Sequence, residues 1–563
     1  MKKLFKNGTV VNVFTDELIK TNVLIDDGLI IGVGAYTDED ADITEDISGL
    51  YICPGFIDSH IHIESSMLTP FEFARVALPH GTTAVIADPH EIANVMGKTG
   101  LEYMLKASEG LPLDVFLALP SCVPATPFDE AGAELNAADL EEFYSNDRVV
   151  ALGEVMTDVG VIAGDTDLLN KINSALNNKK VVNGHAPLLS GKELDKYIRV
   201  GISDDHECSS FTEAKERIQK GQHVLIREGT AAKNLKSLID LFEPPYSYRC
   251  LLSTDDRHPA DMYNEGHIDH IIRSAAKLGK SAVCGIRMAT IQAAEYYGLK
   301  NRGAVAPGYI ADLVTIDNLE NLNIVDVYKS GRKVVDSKKP ADFEKPAVPN
   351  DILQAARNSF HMENVSPENF EIARSDKAKC RVIELLGNQI ITNDGIYEID
   401  FSQNNGVSIK NDILKIAVVE RHKNTGHIGL GFIKGLGMKK GAIASSVSHD
   451  SHNLIVIGTD SNDMAFAANR IKELGGGLVV ANKNEILAEM PLPIAGLMSE
   501  KTSREASYEN EQVRRSVKLL GISEGIEPFM HMAFTALPVI PHLRLTTMGL
   551  VDVNKQETVS LII

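Results

Sequence analysis

The feature that most constrains the fold is an alternation of short apolar runs and helix-like segments between residues 51 and 301. The runs have the length of strands, and nearly all of them are followed by a helical pattern. Strands joined by helices pair in parallel, and eight such units close into a cylinder. The sequence therefore predicts an α/β fold, a (β/α)8 TIM-like barrel, with strands at 56–63, 82–90, 114–122, 149–156, 181–187, 201–207, 223–229 and 249–256.

The segments on either side of the barrel have a different pattern. Short apolar runs with Asn-Gly and Asp-Asp-Gly turns fill residues 3–50, and a similar pattern returns after residue 302. A small β-sandwich domain that is split by the barrel explains both flanks. Residues 337–351 are rich in Lys and Pro, as in a linker, and strand and helix patterns mix beyond them. The predicted domains are a split β domain (1–50 plus 302–340), a metal-dependent catalytic barrel (51–301), a linker (341–351) and a C-terminal α+β domain (352–563).

One predicted helix start supports this division. Thr69 is followed by Pro70 and, three residues after the threonine, by Glu72. This spacing is typical of a capping box with proline at the first helical position. We therefore expect a helix from Pro70, directly after the first barrel strand.

Composition excludes several classes of protein. The net charge of −21 and pI near 5.3 disfavour binding to phosphate backbones or anionic membranes. No apolar run reaches the ~18 residues of a membrane span, and the N-terminus has no apolar signal segment. The six cysteines are scattered without paired spacing, which favours reduced thiols. We expect a soluble cytoplasmic protein.

Metal-type side chains fall at the ends of several predicted strands. His60 and His62 are separated by one residue, so the period of two along a strand points both rings the same way. The C-terminal ends of barrel strands surround one mouth. Imidazoles and carboxylates are ordinary ligands of divalent cations. The predicted metal ligands are His60, His62, Glu154, His185, His206 and Asp255.

Each of these residues taken singly has a plain structural explanation. A histidine at a strand end is more often a hydrogen-bonded core residue, and an Asp or Glu there is commonly a helix cap or a loop charge. Packing does not favour such side chains at strand ends one, four, five, six and eight together. The joint pattern therefore indicates a metal centre.

The arrangement also predicts two ions. His60, His62 and Asp255 can hold one and His185 with His206 a second, while Glu154 lies where a bridging carboxylate would join them. Two ions ~3.5–4 Å apart would lower the pKa of a shared water enough to give a nucleophile at neutral pH. Asp255 would take its proton and pass it to the leaving group. The predicted catalytic residues are Asp255, Glu154 and His206.

Other side chains near the predicted mouth are weaker candidates. Asp88 and His90 follow strand two and could orient ligands or hold an extra metal, although capping and loop roles explain them about equally well. Candidates for contact with the substrate are Glu228, Glu91 and Ser121.

In the C-terminal domain His449, Asp450 and His452 form a polar cluster after an apolar strand. A solvated turn is the favoured interpretation. The alternative is that this domain closes over the barrel mouth.

Several stretches resemble one known family. PGFIDSHIHIESSMLTP (54–70) is similar to the amidohydrolase superfamily, and HIHIESSM with DPHEIANV (88–95) is similar to its bacterial adenine deaminase family. NGHAPLLSG (183–191), STDDRHP (253–259), ASSVSHDSHN (444–453) and MPLPIAGLMS (490–499) agree, so the resemblance covers nearly the whole chain. Many amidohydrolases bridge their metals with a carboxylated lysine; strand four has none, which leaves Glu154 for that role.

The resemblance implies what spacing alone does not. It implies hydrolysis of adenine to hypoxanthine and ammonia, in purine salvage or adenine catabolism, by attack of a metal-activated hydroxide at C6. It favours Mn²⁺ or Fe²⁺, with Zn²⁺ also compatible with the ligands. The expected partners are adenine and water, without nucleic acid or membrane, and a homodimer is the ordinary state of such an enzyme.

Two other functions remain open from the sequence. One is another amidohydrolase that acts on a cyclic amide or an aminopurine, in the manner of a dihydroorotase or a guanine deaminase. The other is a catalytically dead barrel retained as a binding module. A substrate panel separates the first, and measured metal content the second.

Overall fold

The computed structural model describes residues 1–386, 391–522 and 526–563. Short strands of the two flanks frame the barrel. The strands before it are β1 (Lys3–Lys6), β2 (Thr9–Asn12), β3 (Glu17–Lys20), β4 (Asn22–Asp26), β5 (Leu29–Gly34), β6 (Ile43–Asp46) and β7 (Tyr51–Pro54). The barrel strands are β8 (Phe56–Ile61), β9 (Thr82–Ala87), β10 (Asp114–Leu119), β11 (Val149–Val155), β12 (Val181–Gly184), β13 (Asp204–Asp205), β14 (His223–Arg227) and β15 (Cys250–Ser253). The strands after it are β16 (Leu313–Ile316), β17 (Ile324–Lys329), β18 (Arg332–Asp336) and β19 (Lys339–Pro340).

Strands from both flanks share one sheet. The order β19-β18-β17-β16-β7-β2-β3 joins N-terminal strands to strands that follow the barrel, with Cys53 opposite Val314. A second sheet, β5-β4-β1-β6, packs with it around the buried side chains of Phe5 and Tyr328. Nothing tests the predicted domain limits themselves, and they stay a prediction.

The eight barrel strands, all within residues 1–386, run parallel and close on themselves. The Ser203 amide donates to the Val182 carbonyl at 3.0 Å and joins β12 to β13, and the Asp255 amide donates to the His60 carbonyl at 3.0 Å and joins β15 to β8. The strands are shorter than predicted. The residues beyond their C-terminal ends leave the ladder, and those residues include most of the predicted ligands.

Helices cover the outside of the barrel and the sheet of the C-terminal domain. Those of the barrel are α1 (Pro70–Ala77), α2 (His90–Met96), α3 (Lys98–Ala107), α4 (Ala137–Glu141), α5 (Asp158–Ala163), α6 (Thr166–Asn177), α7 (Gly191–Ile198), α8 (Phe211–Gln219), α9 (Pro259–Glu265), α10 (Ile268–Lys277), α11 (Ala282–Met288) and α12 (Ile291–Tyr296). The later ones are α13 (Asn350–Arg357), α14 (Ser461–Leu474), α15 (Ser503–Ser516) and α16 (Pro528–Phe534).

The helix predicted from Pro70 is present, but its predicted capping box is wrong. Thr69 makes no side-chain capping bond. The Glu72 carboxylate instead accepts from the Ser503 amide at 2.7 Å, at the start of α15. A contact with a segment more than four hundred residues away thus replaces the local bond.

The C-terminal domain is built on a mixed, mainly antiparallel sheet. Its order among the described residues is β21-β20-β23-β22-β25-β24-β26-β27, and α14 packs its buried Met464 and Ile471 on one face. A three-stranded sheet, β28-β29-β30, follows. The strands are β20 (Lys377–Leu385), β21 (Thr392–Asp400), β22 (Ile413–Val419), β23 (Ile428–Lys434), β24 (Ala442–Ser445), β25 (Leu454–Gly458), β26 (Gly477–Asn482), β27 (Glu485–Pro491), β28 (Leu543–Thr546), β29 (Gly549–Asp552) and β30 (Glu557–Val559).

This domain docks directly on the loops of the barrel mouth. The Ser499 amide donates to the Met67 carbonyl at 2.9 Å. At other barrel loops the Asn453 side chain donates to the Glu130 carbonyl at 2.7 Å, and the Ser507 hydroxyl donates to the Pro259 carbonyl at 2.8 Å. The domain therefore covers the mouth from more than one side.

In the described ranges no helix combines the length and apolarity needed to cross a membrane. All six cysteines are unpaired and buried.

Candidate active site at the barrel mouth

The predicted ligands from strands one and eight come together at one point. The Nε2 atoms of His60 and His62 lie 3.2 Å apart, and Asp255 Oδ1 is 3.1 Å from His62 Nε2 and 3.7 Å from His60 Nε2. All three side chains are buried. They meet because the last barrel strand, β15, lies beside the first, β8, although about two hundred residues separate the two strands in the sequence.

Glu154 stands between this group and the ligands from strands five and six. Its Oε1 is 3.6 Å from His62 Nε2, while its Oε2 is 2.8 Å from His185 Nδ1 and 2.9 Å from His206 Nε2. Burial alone raises the pKa of a carboxyl, but His185 and His206 hold the pKa of Glu154 well below its ordinary value. The ionised carboxylate of Glu154 thus directs one oxygen towards His62 and the other towards His185 and His206.

The side chains fit a pair of divalent cations. Ligand atoms that share an ion at bonds of ~2.1 Å lie about 3–3.5 Å apart, and the contacts within these groups span 2.8–3.7 Å. Burial disfavours charge on the rings, yet the carboxylates around them raise the pKa of His185 to about 10 and also raise those of His62 and His206. The carboxylates of the cluster therefore favour positive charge at these three rings, whereas burial and the neighbouring His206 and His62 lower the pKa of His60.

Asp88 and His90, which the sequence suggests could orient ligands or hold an extra metal, lie beside this cluster. Asp88 Oδ2 accepts from the Glu154 amide at 2.9 Å, and His62 Nδ1 faces the Asp88 carbonyl at 2.9 Å. The approach depends on Gly153, because a Cβ at that position would lie 2.1 Å from Asp88 Oδ2. His90 Nδ1 is 3.5 Å from Glu154 Oε1. Asp88 therefore positions two of the predicted ligands.

Arg227 and Glu207 belong to the site although they were not predicted. Arg227 Nη1 donates to Asp255 Oδ2 at 2.7 Å, and Nη2 donates to Glu207 Oε2 at 3.0 Å. Burial would raise the pKa of Asp255, but Arg227 keeps it well below its ordinary value. Arg227 ends β14 one residue before Glu228, so alternation along the strand was a signal that could have identified it.

Ser121 and Glu228 have partners within the scaffold. The Ser121 hydroxyl donates to the Glu154 carbonyl at 2.5 Å. Glu228 is half-buried, and its Oε2 accepts from the Leu235 amide at 3.1 Å in the loop that follows β14. These bonds support positioning roles.

Glu91, the third predicted substrate contact, is fully buried on the side of strand two. Ser65 Oγ lies 2.8 Å from Glu91 Oε1 and 2.5 Å from Asp256 Oδ1, so the hydroxyl links the two carboxyls. Among the described residues Glu91 Oε2 has no hydrogen-bond partner. Ser65 and Asp256 were not singled out in the sequence, although both lie within the matching motifs.

The prediction of a solvated turn at His449, Asp450 and His452 is wrong. All three are buried, at 3%, 2% and 0% exposure. Asp450 Oδ1 lies 3.6 Å from His90 Nε2, and His449 Nδ1 lies 3.4 Å from Glu91 Oε1. The turn is thus part of the barrel mouth, which was the alternative interpretation.

A cleft of about 1020 Å³ lies next to the centre. It runs between the barrel loops around Pro187 and Lys233 and the segment of the C-terminal domain that carries Arg514 and His531. Glu207 and Arg227 lie at its wall, next to Asp255. The cleft therefore reaches Arg227 and Glu207, which are direct neighbours of the predicted ligands Asp255 and His206.

Similar proteins identify the family. The amidohydrolase family profile matches residues 51–334, and the profile of the adenine deaminase C-terminal domain matches residues 389–557. The adenine deaminase 2 of Carboxydothermus hydrogenoformans is 44% identical over 98% of this chain and 95% of its own length. The chain belongs to the adenine deaminase family. Family members from Desulfatibacillum aliphaticivorans (44% identity, 99% of this chain and 96% of that protein) and Geobacillus kaustophilus (43%, 98% and 95%) agree.

Membership in the adenine deaminase family confirms the resemblance drawn from the motifs, and with it the amidohydrolase fold class. Among solved structures, an enamidase described as a member of the amidohydrolase superfamily matches with a TM-score of 0.46 and 19% identity, over 61% of this chain and 99% of that one. That likeness adds nothing to the sequence comparison. The roles of individual residues stay predictions.

Proposed function

We propose that this protein hydrolyses adenine to hypoxanthine and ammonia at a binuclear metal centre. The observation that carries the proposal is the place of Glu154, whose Oε1 lies 3.6 Å from His62 Nε2 while its Oε2 lies 2.8 Å from His185 Nδ1 and 2.9 Å from His206 Nε2. The substrate is taken from the relatives. They are named adenine deaminase, and this chain matches them over nearly their whole length.

The predicted ligands divide into two groups around Glu154. His60, His62 and Asp255 would hold one cation, and His185 with His206 would hold the other. Mixed imidazole and carboxylate ligands suit Mn²⁺ or Fe²⁺, and Zn²⁺ is also compatible. When bound, such a pair supplies Lewis acidity and an acidified water.

The protein's own residues handle the proton. Asp255, ionised beside Arg227, accepts the proton of the attacking water as the C6–O bond forms. As that bond forms, the C6=N1 electron pair moves to N1. Asp255 then passes its proton to N6, so that the C6–N6 bond breaks and ammonia leaves, and the proton of the C6 hydroxyl goes to N1 as the C6=O bond of hypoxanthine forms. Arg227 acts as a positioning residue because it fixes the other carboxylate oxygen of Asp255 at 2.7 Å. His206 fixes Glu154 through Nε2 at 2.9 Å.

Burial of the centre supports this chemistry. The C-terminal domain covers the mouth, so water is limited to what the cleft admits, and charges act more strongly there than in bulk water. Glu91, with one oxygen free of partners among the described residues, is the best placed of the three predicted substrate contacts. Ser121 and Glu228 take positioning roles in this proposal.

Neither alternative function has an observation of its own. A dead module would have lost ligands, whereas all six predicted ligands are present and close together. Homodimer assembly and a cytoplasmic location stay predictions, the latter favoured by the unpaired buried cysteines.

The test is ammonia release from adenine by protein loaded with Mn²⁺, beside protein stripped by a chelator. We expect turnover in the loaded protein, loss after stripping and recovery when Mn²⁺ is returned. Guanine, dihydroorotate and adenosine form the substrate panel. Absence of turnover with adenine, together with turnover of another member of the panel, would reassign the substrate.

A further inference from the structure

Glu207 lies against the two imidazoles from strands five and six. Its Oε1 is 3.4 Å from His206 Nε2 and 3.6 Å from His185 Nδ1. The same two ring atoms face Glu154 Oε2, at 2.9 and 2.8 Å. All four side chains are buried. Two carboxylate oxygens and two imidazole nitrogens therefore meet where the sequence and the Proposed function place the second cation, the one assigned to His185 and His206.

The spacing of these atoms is that of ligands that share one ion. Four ligands at bonds of ~2.1 Å in a tetrahedral arrangement lie about 3.4 Å apart. The four contacts span 2.8–3.6 Å, and atoms of His185, His206 and Glu207 all lie within 4.8 Å of one another. Without Glu207 the second cation would have three protein ligands, whereas the first has four. With it, each cation has two imidazoles and two carboxylates.

The backbone at Glu207 is held in place by the scaffold. Its amide donates to Asp205 Oδ1 at 2.9 Å, and Asp205 Oδ2 accepts from Arg217 Nε at 2.9 Å. Asp205 and Arg217 are fully buried. Because β13 ends at Asp205, the alternation of side chains along a strand no longer applies to the two residues that follow. His206 and Glu207 can therefore face the same ion although they are adjacent.

The guanidinium of Arg227 leaves room for a cation at Glu207. Nη2 donates to Glu207 Oε2 at 3.0 Å, and Nη1 donates to Glu207 Oε1 and to Asp255 Oδ2. A carboxylate oxygen has two lone pairs, so Oε1 can accept from Nη1 and also ligate an ion. Asp255 is arranged in the same way, with Oδ2 on Arg227 and Oδ1 at 3.1 Å from His62 Nε2. Arg227 thus holds one carboxylate beside each cation position.

The charge of Glu207 favours a cation at this position. Burial lowers the pKa of His185, but Glu207 and Glu154 raise it to about 10. A carboxylate that favours positive charge on a buried ring nitrogen also favours a cation placed between the two groups. The electrostatics of Glu207 therefore agree with its geometry.

We propose that Glu207 is the fourth protein ligand of the second cation. It joins the three ligands already predicted for that ion, Glu154, His185 and His206. A set of two carboxylates and two imidazoles suits Mn²⁺ or Fe²⁺. The inference rests on the binuclear centre of the proposed function.

Titration of Mn²⁺ into chelator-stripped protein tests this role, with free Mn²⁺ followed by electron paramagnetic resonance. We expect two equivalents to bind to the wild type. In Glu207→Gln the dissociation constant of the second equivalent should rise about 100-fold or more, beyond the ~10–100-fold typical of residues that only support ligands. The first equivalent should change much less, which shows that the variant is folded. Glu193→Gln, at an exposed position on α7, is the control.

A double variant separates a ligand from a counter-charge. If Glu207 only neutralises Arg227, removal of both charges in Glu207→Gln/Arg227→Gln should restore the affinity for the second equivalent, and this result would overturn the proposal. If Glu207 is a ligand, the double variant should bind the second equivalent as weakly as Glu207→Gln does. Equal weakening of both equivalents in Glu207→Gln would also overturn the proposal, since it would show a general effect on the site.

The titration contains no substrate, so its outcome is separate from turnover of adenine. A wild type that binds two equivalents but does not release ammonia from adenine fails the substrate assignment alone, and the ratio of dissociation constants still decides the role of Glu207. A wild type that binds fewer than two equivalents would overturn both the binuclear centre and the role of Glu207.

Discussion

The barrel rim and the turn at residues 448–452 meet in one site, but the chain encodes them differently. The rim residues each end a strand of one closed sheet, so a local pattern of apolar runs and ligands is enough to bring them together. The turn carries the same residue types, yet its position depends on the docking of a domain that starts about three hundred residues after the first strand. The difference shows that a polar cluster beside a predicted strand can be a solvated turn or part of a buried site, and that only its tertiary neighbours decide which.

The largest fall in activity is expected from a substitution at the barrel rim. Glu154→Gln removes the charge that both groups of imidazoles share, so kcat/KM for adenine should fall by about a thousandfold or more, and metal content should fall with it. Glu193→Gln on α7, an exposed position, is the matched control and should change neither quantity. Retained turnover in Glu154→Gln would remove the bridging role.

A smaller effect is expected at the residue that positions Asp255. Arg227→Gln loses the charged partner of that carboxylate, and kcat should fall roughly 10- to 100-fold while KM changes little. Arg199→Gln, exposed after the end of α7, is the control. A change confined to KM would mean that Arg227 contacts the substrate instead.

A substitution in the turn should lower kcat/KM less than one at the rim but more than one at an exposed position. Asp450→Asn weakens the contact with His90, so kcat/KM should fall about tenfold with metal content unchanged. Asp342→Asn, at a fully exposed side chain, should have no effect. If both variants behave alike, the turn is covered by the barrel without taking part in the reaction, and the comparison between the two regions fails.

The smallest effect concerns docking of the domain itself. Glu72→Gln weakens the acceptor for the Ser503 amide, so the free energy of unfolding should fall by about 1 kcal/mol, seen as a melting temperature lower by about 2 °C. Glu102→Gln, exposed on α3, controls for a change of charge. An unchanged melting temperature would show that this hydrogen bond adds nothing to the docking.

Much of the site was predictable because barrels place every strand end at one mouth. His60 and His62 could be assigned from a spacing of two, and His185 and His206 from similar positions after strands five and six. Arg227 was missed because the sequence analysis selected its neighbour Glu228, and adjacent residues on a strand point in opposite directions. The predicted capping box at Thr69 was wrong because the Glu72 carboxylate accepts a hydrogen bond from the Ser503 amide of the C-terminal domain.

The sequence by itself determined the alternation of strands and helices, the identity of the predicted ligands and, through its motifs, the family. These depend on short-range periodicity and on which residue types occur, and both can be read along the chain. Only the tertiary structure decided that Glu154 lies between two groups, that Asp255 pairs with Arg227, and that His452 is buried against Glu91. Those facts depend on distances between residues far apart in sequence, which are set by strand closure and by domain docking.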